Sequence, residues 1–259
     1  NHYLSISERP AWALLAKLAE LKAELAHYAF RHAAGLPACP ISPRVVQWLL
    51  ANPDRLGRVV ATNLKTAPTL VFDWSVGSLE LGELPDRSDT PAFTASLFQR
   101  MQRAGAAIGI GRYNEARQVY TGAQFQAPSE ELPEQRTVHL GIDLFQPAGS
   151  PIFAPLDGIV HSFANNTAHH DYGPVILLAH RVAGSGEEGE LGFYTLYGHL
   201  SVDSLEGLYP GKPIQQGEQI GTMGNFPTNG DWPPHLHFQI ICDLLGEAGN
   251  FNGVAAPSQ

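Results

Sequence analysis

The chain has 259 residues, 44% of them hydrophobic, enough to bury a core and form one or two domains. Sixteen Lys and Arg stand against 25 Asp and Glu, and this net charge of −9 argues against a nucleic-acid partner, which needs clustered cations. No apolar run approaches the roughly 18 residues of a membrane-crossing helix, so no membrane partner is expected, and two cysteines, Cys39 and Cys242, cannot build a disulfide framework or a thiolate zinc site.

The chain starts at Asn1 rather than Met and shows no basic segment followed by an apolar one, so no signal peptide is expected and the chain reads as a segment of something longer. Residues 1–60 carry seven Lys/Arg and four Asp/Glu, whereas residues 61–259 carry nine and twenty-one. That asymmetry places a boundary near residue 60. The first part reads as a helical hairpin or linker. Leu14, Leu18, Leu21, Leu25 and Tyr28 share one helix face, with Ser7 near the cap and Gly35 at the end. A second helix starts with Ser42 as cap and Pro43 at its first position, carries Val45, Val46, Trp48, Leu49 and Leu50, and stops at Asn52-Pro53. Amphipathic helices usually just bury a face, so packing is preferred to docking for this pair.

From residue 61 the pattern turns to short strands. Thr69–Trp74 is a strand candidate, followed by an acidic loop from Glu80 to Asp89 and a helix capped by Thr90-Pro91 that carries Phe93, Leu97, Phe98 and Met101. Strands are then expected at Ala107–Ile110, Gln118–Tyr120, Val138–Phe145, Ile152–Ala154, Gly158–Phe163 and Val175–Ala179. Others follow at Phe193–Leu200, Pro213–Ile214, Gln219–Met223 and His235–Ile241, with a polar loop at Gly184–Gly192. Short strands between turn residues indicate a mainly β, sheet-built fold rather than βαβ units.

Eight of the eleven histidines fall at or after His139. Three histidine-bearing elements stand out: His139-Leu-Gly-Ile-Asp143, Tyr197-Gly-His199-Leu200 and His235-Leu-His237-Phe238. On a strand, residues two or four apart project to one face, which pairs His235 with His237 and His139 with Asp143. Two imidazoles and a carboxylate suit zinc, and three protein ligands leave a fourth position open for water. A lone strand histidine is usually structural; the ordered combination of the three elements is far more specific.

These elements resemble the M23 (lysostaphin/LytM-like) zinc metallopeptidases, whose pattern is HxGxD, a YxHL segment and a closing PHLHF. The segments Pro147–Val160 and Pro210–Gly221 resemble the family's intervening stretches, so the similarity runs over 138–241, with a weaker echo at Gly111–Arg117. The resemblance implies an antiparallel, barrel-sandwich-like β domain over 61–259. It implies that His139, Asp143 and His237 bind Zn2+ and that His199 and His235 are the two catalytic histidines, acting as acid, base or stabiliser of the tetrahedral charge. The implied activity is amide hydrolysis in peptide or peptidoglycan-like substrates. His180 is expected in a structural or supporting role, His161 on an outer strand face, and Cys242 as a buried inert thiol. His169 and His170 either border the substrate groove or lie in a solvated loop, while Tyr113, Asn114 and Arg117 line the cleft or simply pack.

The N-terminal part also resembles the joint in bacterial fusion proteins in which a phosphotransferase domain precedes an M23 domain and a class III PLP aminotransferase follows. The alternative is therefore a zinc-binding domain of a cytoplasmic multidomain metabolic enzyme with a non-wall substrate and flanking domains. An acidic protein would be repelled by an anionic wall at low salt. The location expected is cytoplasmic for such a fragment and secreted or periplasmic for a wall hydrolase. A lipoyl-type carrier needs a lysine at a hairpin tip, and Lys212 lacks the flanking motif.

Overall fold

The computed structural model describes residues 42–80, 89–117, 119–120, 122, 125–127, 134–184 and 189–257. The helix expected around Leu14–Tyr28 with its Ser7 cap and Gly35 end, Cys39, the acidic loop over 81–88, and residues 185–188 of the polar loop lie outside them.

In chain order the elements are helix α1 (Ser42–Ala51), strand β1 (Thr69–Phe72), helix α2 (Thr90–Arg103), then β2 (Ile108–Gly111), β3 (Glu115–Ala116), β4 (Gln126–Ala127), β5 (Glu134–Gln135), β6 (Val138–His139) and β7 (Ile142–Phe145). They continue as β8 (Pro151–Phe153), β9 (Gly158–Asn166), β10 (Gly173–Ala183), β11 (Glu190–Gly198), β12 (Pro213–Ile214), β13 (Gln219–Thr222), β14 (His235–Ile241) and β15 (Val254–Ala255). The protein is mainly β, as its turn-punctuated sequence implies. Eight strands form the main sheet in the order β1-β2-β7-β14-β11-β10-β9-β12, antiparallel except for the β1–β2 pair.

Strand β10 explains the sheet's centre. Its run Val175-Ile-Leu-Leu178 is apolar on both faces, as expected of a strand covered on both sides. Ile176 and Leu178 enter a cluster with Leu144, Val160, Tyr197 and Leu236, while Val175 and Leu177 enter another with Tyr172, Leu196 and Ile241. The small sheet of β8 and β13 closes the first cluster through Ile152 and Ile220, joined by Val60, whose backbone bridges to Ile152. Of the N-terminal helical hairpin expected from sequence, α1 is described. Its Val45 and Trp48 pack with Leu156, Val182, Leu191 and Phe193, while Leu50 faces outward.

Two local expectations change. The segment β1–α2–β2 is a βαβ unit, its strands parallel with Thr69 opposite Ile108. The sequence hid it because each strand is four residues long and the parallel pairing spans 39 residues. The α2 cap is Asp89, whose carboxylate accepts from the Ala92 amide at 3.0 Å, with Thr90 inside the helix. Phe93, Leu97 and Met101 then recur every fourth residue and pack on Phe72, Trp74 and Phe145. Phe72 meets Phe145 edge-on at 5.4 Å. Phe72→Ala is therefore expected to cost about 3–5 kcal/mol, read as a lower denaturation midpoint in urea with an unchanged slope.

Residues 138–145 form two strands rather than one. β6 joins a separate three-stranded sheet between β15 and β3, and β7 enters the main sheet. Gln118–Tyr120 supplies no strand among the described residues. His180 lies inside β10 rather than at its end. Its ring sits 2.9 Å from the Asp157 carbonyl and 2.7 Å from the Thr195 hydroxyl, outside the cavity described below. His161 is half-buried against Tyr194, and Cys242 is half-buried at the edge of the α1 cluster rather than fully enclosed.

Candidate functional site

The sheet register assembles the site. On β14 and β7, His237 lies opposite Asp143 and His235 opposite Phe145, so the alternation that pairs the two histidines also delivers the carboxylate. Asp143 is opposite Gly111 of β2 on its other side. His139 arrives from the neighbouring sheet, held between Glu115 of β3 and Val254 of β15. His139 and Asp143 meet because the chain breaks between their strands at Leu140-Gly141, not because they share one strand face.

Three acceptor atoms converge. His139 Nε2 is 3.0 Å from His237 Nδ1 and 3.1 Å from Asp143 Oδ1, and His237 Nδ1 is 3.3 Å from the same oxygen. The tautomers follow from the outer partners. His139 Nδ1–H donates to the Arg112 carbonyl at 2.8 Å, which leaves Nε2 bare. The Gln239 amide donates to the Asn252 carbonyl at 3.2 Å, so its Oε1 faces His237 and accepts from Nε2–H at 3.1 Å, leaving Nδ1 bare. Asp143 Oδ1 is buried and accepts no hydrogen bond. Burial pushes His139 down despite the pull of Asp143. Burial opposes ionisation of Asp143, but His139 and Arg117 outweigh it and hold the carboxyl well below the usual carboxylate range. Three lone pairs facing one another without a proton between them repel. A cation at their centre reverses the sign, and separations near 3.3 Å suit the edge of a tetrahedron with bonds of about 2.0 Å. The donor set therefore fits a divalent metal such as zinc.

Two further histidines stand beside these three. His199 and His235 have ring centroids 4.3 Å apart. His199 Nδ1–H donates to the Asn229 carbonyl at 2.8 Å and His235 Nδ1–H to the Pro233 carbonyl at 2.6 Å, so each Nε2 is bare. His235 Nε2 is 3.7 Å from Asp143 Oδ1, and its ring stacks on Phe145 at 4.9 Å, which ties it to the α2 cluster. Burial, with His235 and His237 nearby, holds His199 well below the usual histidine range, and burial draws His235 down to about 4. His199 follows β11 at φ 63°, a left-handed conformation that L residues seldom adopt and that is costly to hold. Its backbone is pinned on both sides: its N–H donates to the Tyr172 carbonyl, and its carbonyl accepts from Gly224. All five residues border one cavity of about 160 Å³, walled by Tyr120, Phe125, Tyr172, Trp232 and Phe251.

The sequence left five neighbours open. His170 lines the cavity, stacked on Trp232 at 4.3 Å, while His169 is exposed. Arg117 is buried and donates to Asp143 Oδ2 at 2.7 Å, whereas Tyr113 is exposed and Asn114 serves a turn at φ 55°. Glu115, Tyr120, Trp232 and Gln239 were not singled out from the sequence, and their strand pairings and ring contacts are long-range.

The Peptidase family M23 model matches residues 137–248, which contain all five residues. Residues 137–248 are an M23 peptidase domain. The chain is also similar to longer proteins. An uncharacterized metalloprotease of Haemophilus influenzae is 30% identical over 134 residues, covering 51% of this chain and 25% of that protein. The DD-carboxypeptidase/endopeptidase Mpg of Neisseria meningitidis is 34% identical over 122 residues, covering 47% and 24%. The chain thus spans about a quarter of the length of these curated relatives. Among solved structures, the catalytic domain of lysostaphin from Staphylococcus simulans is 25% identical, with a TM-score of 0.30 over 47% of this chain and 77% of that one.

The glycine of the M23 domain's first motif has a steric reason. A Cβ on Gly141 would stand 2.5 Å from the His237 ring. Gly141→Ala should push that ring away from His139 and Asp143. The expected result is a metal affinity weaker by about tenfold or more, measured by chelator competition, with the circular dichroism spectrum retained.

Proposed function

We propose that this chain is a zinc-dependent peptidase that hydrolyses amide bonds in peptidoglycan-like peptides, with His139, Asp143 and His237 holding the metal and His199 and His235 performing catalysis. One observation carries the reading: three mutually repelling acceptors, one of them an orphaned buried carboxylate oxygen, converge beside two histidines with bare Nε2 atoms in the same cavity. A zinc ion held by His139, Asp143 and His237 would supply Lewis acidity to polarise the scissile carbonyl and to lower the pKa of the attacking water.

The protein's own groups do the rest. Gln239 and the Arg112 carbonyl orient the two ligand rings, so their lone pairs are aimed before the metal arrives. His199 and His235 rest neutral with Nε2 bare, so each can take a proton at that atom and return it to the departing amine. Once protonated, each ring also places a positive donor beside the charge that develops on the carbonyl oxygen. The aromatic walls lower the polarity around the two rings and strengthen both effects. A curated relative, the peptidoglycan DD-endopeptidase ShyC of Vibrio cholerae, supports a wall-peptide substrate. We take the M23-like region to belong to a domain over 61–259, preceded by a separate segment over 1–60 whose described part carries α1.

A second reading, a domain of a multidomain metabolic enzyme acting on a non-wall amide, is favoured by the net charge of −9. Digestion of isolated peptidoglycan by the zinc-loaded chain, followed by mass spectrometry, separates the two. New termini within the cross-linking peptides are expected. Intact peptidoglycan alongside cleavage of small acylated dipeptides would favour the second reading. No cleavage of either substrate would overturn the peptidase assignment.

A further inference from the structure

The carboxylate at the centre of the site has two oxygens in different company. Oδ1 faces His139 and His237 and is otherwise unbonded, while Oδ2 accepts from Arg117 Nη1 at 2.7 Å. Arg117 is itself gripped. Its Nη1 also donates to the Tyr120 hydroxyl at 3.1 Å, its Nη2 to the Arg112 carbonyl at 3.2 Å, and its Nε to Glu115 Oε2 at 2.7 Å. The guanidinium carbon stands 5.1 Å from the Trp74 ring centroid. Glu115 Oε1 accepts in turn from the Trp74 amide at 3.1 Å and from Arg112 Nε at 2.8 Å. Arg112, Glu115, Arg117 and Asp143 thus alternate in sign along one chain of contacts. Its last three members are almost fully buried, with Arg117 only 2% exposed.

A buried arginine is costly unless its fork is filled, and here every arm is. The strands make room for it. A Cβ on Gly111 would lie 2.8 Å from both Arg117 Nη2 and Asp143 Oδ2, so only glycine leaves this space at that register position. The geometry acts on one oxygen of Asp143 and leaves the other untouched.

We propose that Arg117 is a positioning residue that fixes Asp143 as a one-oxygen metal ligand, with Glu115 aligning the guanidinium. The inference rests on the reading of His139, Asp143 and His237 as the ligand set. With Oδ2 held, the carboxylate cannot rotate to present both oxygens, and the coordination position needed by the substrate stays open. Released from Arg117, Asp143 would be free to turn and offer both oxygens, and a metal held there would gain a ligand. A lysine cannot replace the fork, because one ammonium does not bridge Glu115, Tyr120 and Asp143 together.

The test uses the full chain as wild type, Arg117→Lys, and the double variant Glu115→Gln/Arg117→Met. The double variant removes both buried charges together, so the net charge near the metal is kept and Glu115 is not stranded. Cobalt(II) is loaded in place of zinc, and its visible absorption reports coordination number. Zinc affinity is measured separately by chelator competition. Wild type should give the intense bands of a four-coordinate ion. Both variants should give the weaker bands of a higher-coordinate one, and the double variant should bind zinc about tenfold or more weakly. Unchanged cobalt spectra with unchanged zinc affinity would overturn the proposal and leave Arg117 a prop for the fold. If the double variant does not fold, Arg117→Lys, which keeps the charge, decides alone by its spectrum. Failure of the wild type to bind either ion would remove the ligand set itself, an outcome distinct from a change confined to the variants.

Discussion

Replacing His237 by alanine is expected to abolish stoichiometric zinc binding and to lower amide hydrolysis by at least about 10⁴-fold, because the metal supplies the means of activating water at neutral pH. The size of the effect follows from position. His237 is opposite Asp143 in the strand register, 3.0 Å from His139 Nε2 and tied to Gln239 behind it, so it touches every other element of the proposed ligand set. Stability gives an independent reading. At a free zinc concentration of 1,000 times the dissociation constant, a ligand that binds only the folded state adds about 4.1 kcal/mol. His237→Ala should lose that increment. Without metal it also relieves the repulsion among three bare acceptors, so the zinc-free variant should lie close to the zinc-free wild type. Thermal unfolding of both proteins with and without zinc measures this. A variant still stabilised by zinc to the wild-type extent would remove His237 from the ligand set.

His199→Ala is expected to lower kcat by about 10²- to 10⁴-fold, the usual contribution of a positioned acid or base, while keeping one zinc per chain. His235→Ala should behave similarly. The two rings are 4.3 Å apart and share one cavity, so the double variant should cost less than the product of the single losses. Metal analysis beside steady-state kinetics separates this from His237→Ala, which loses the ion as well. A His199→Ala enzyme with full kcat would rule out its assigned role. The left-handed backbone at His199 supports that role, since the carbonyls and amides of Tyr172, Gly224 and Asn229 maintain a conformation that local propensity resists.

How much of this could be read from the sequence depends on the range of the interaction. The pairing of His235 with His237 was legible because a two-residue period survives in any strand. The mainly β character was legible because turn residues punctuate the chain. A shared strand face predicts the meeting of His139 with Asp143, whereas the structure brings two strands from different sheets together around Gly141. The parallel β1–β2 pair was missed because nothing local to Thr69–Phe72 specifies a partner 39 residues on. The same holds for Arg117. Its bond to Asp143 depends on the pairings of β2 with β7 and β3 with β6, so its spacing in the chain carries only a faint sign of it. The aromatic wall of Tyr120, Tyr172 and Trp232 comes from three separate segments and has no periodicity to betray it.

His139, Asp143 and His237 are expected to hold a single metal ion. Anomalous X-ray scattering from crystals of the zinc-loaded protein, collected on both sides of the zinc absorption edge, tests it directly. One peak is expected, within about 2.0–2.2 Å of His139 Nε2, Asp143 Oδ1 and His237 Nδ1. A peak at any other set of side chains, or none in zinc-loaded crystals, would contradict it.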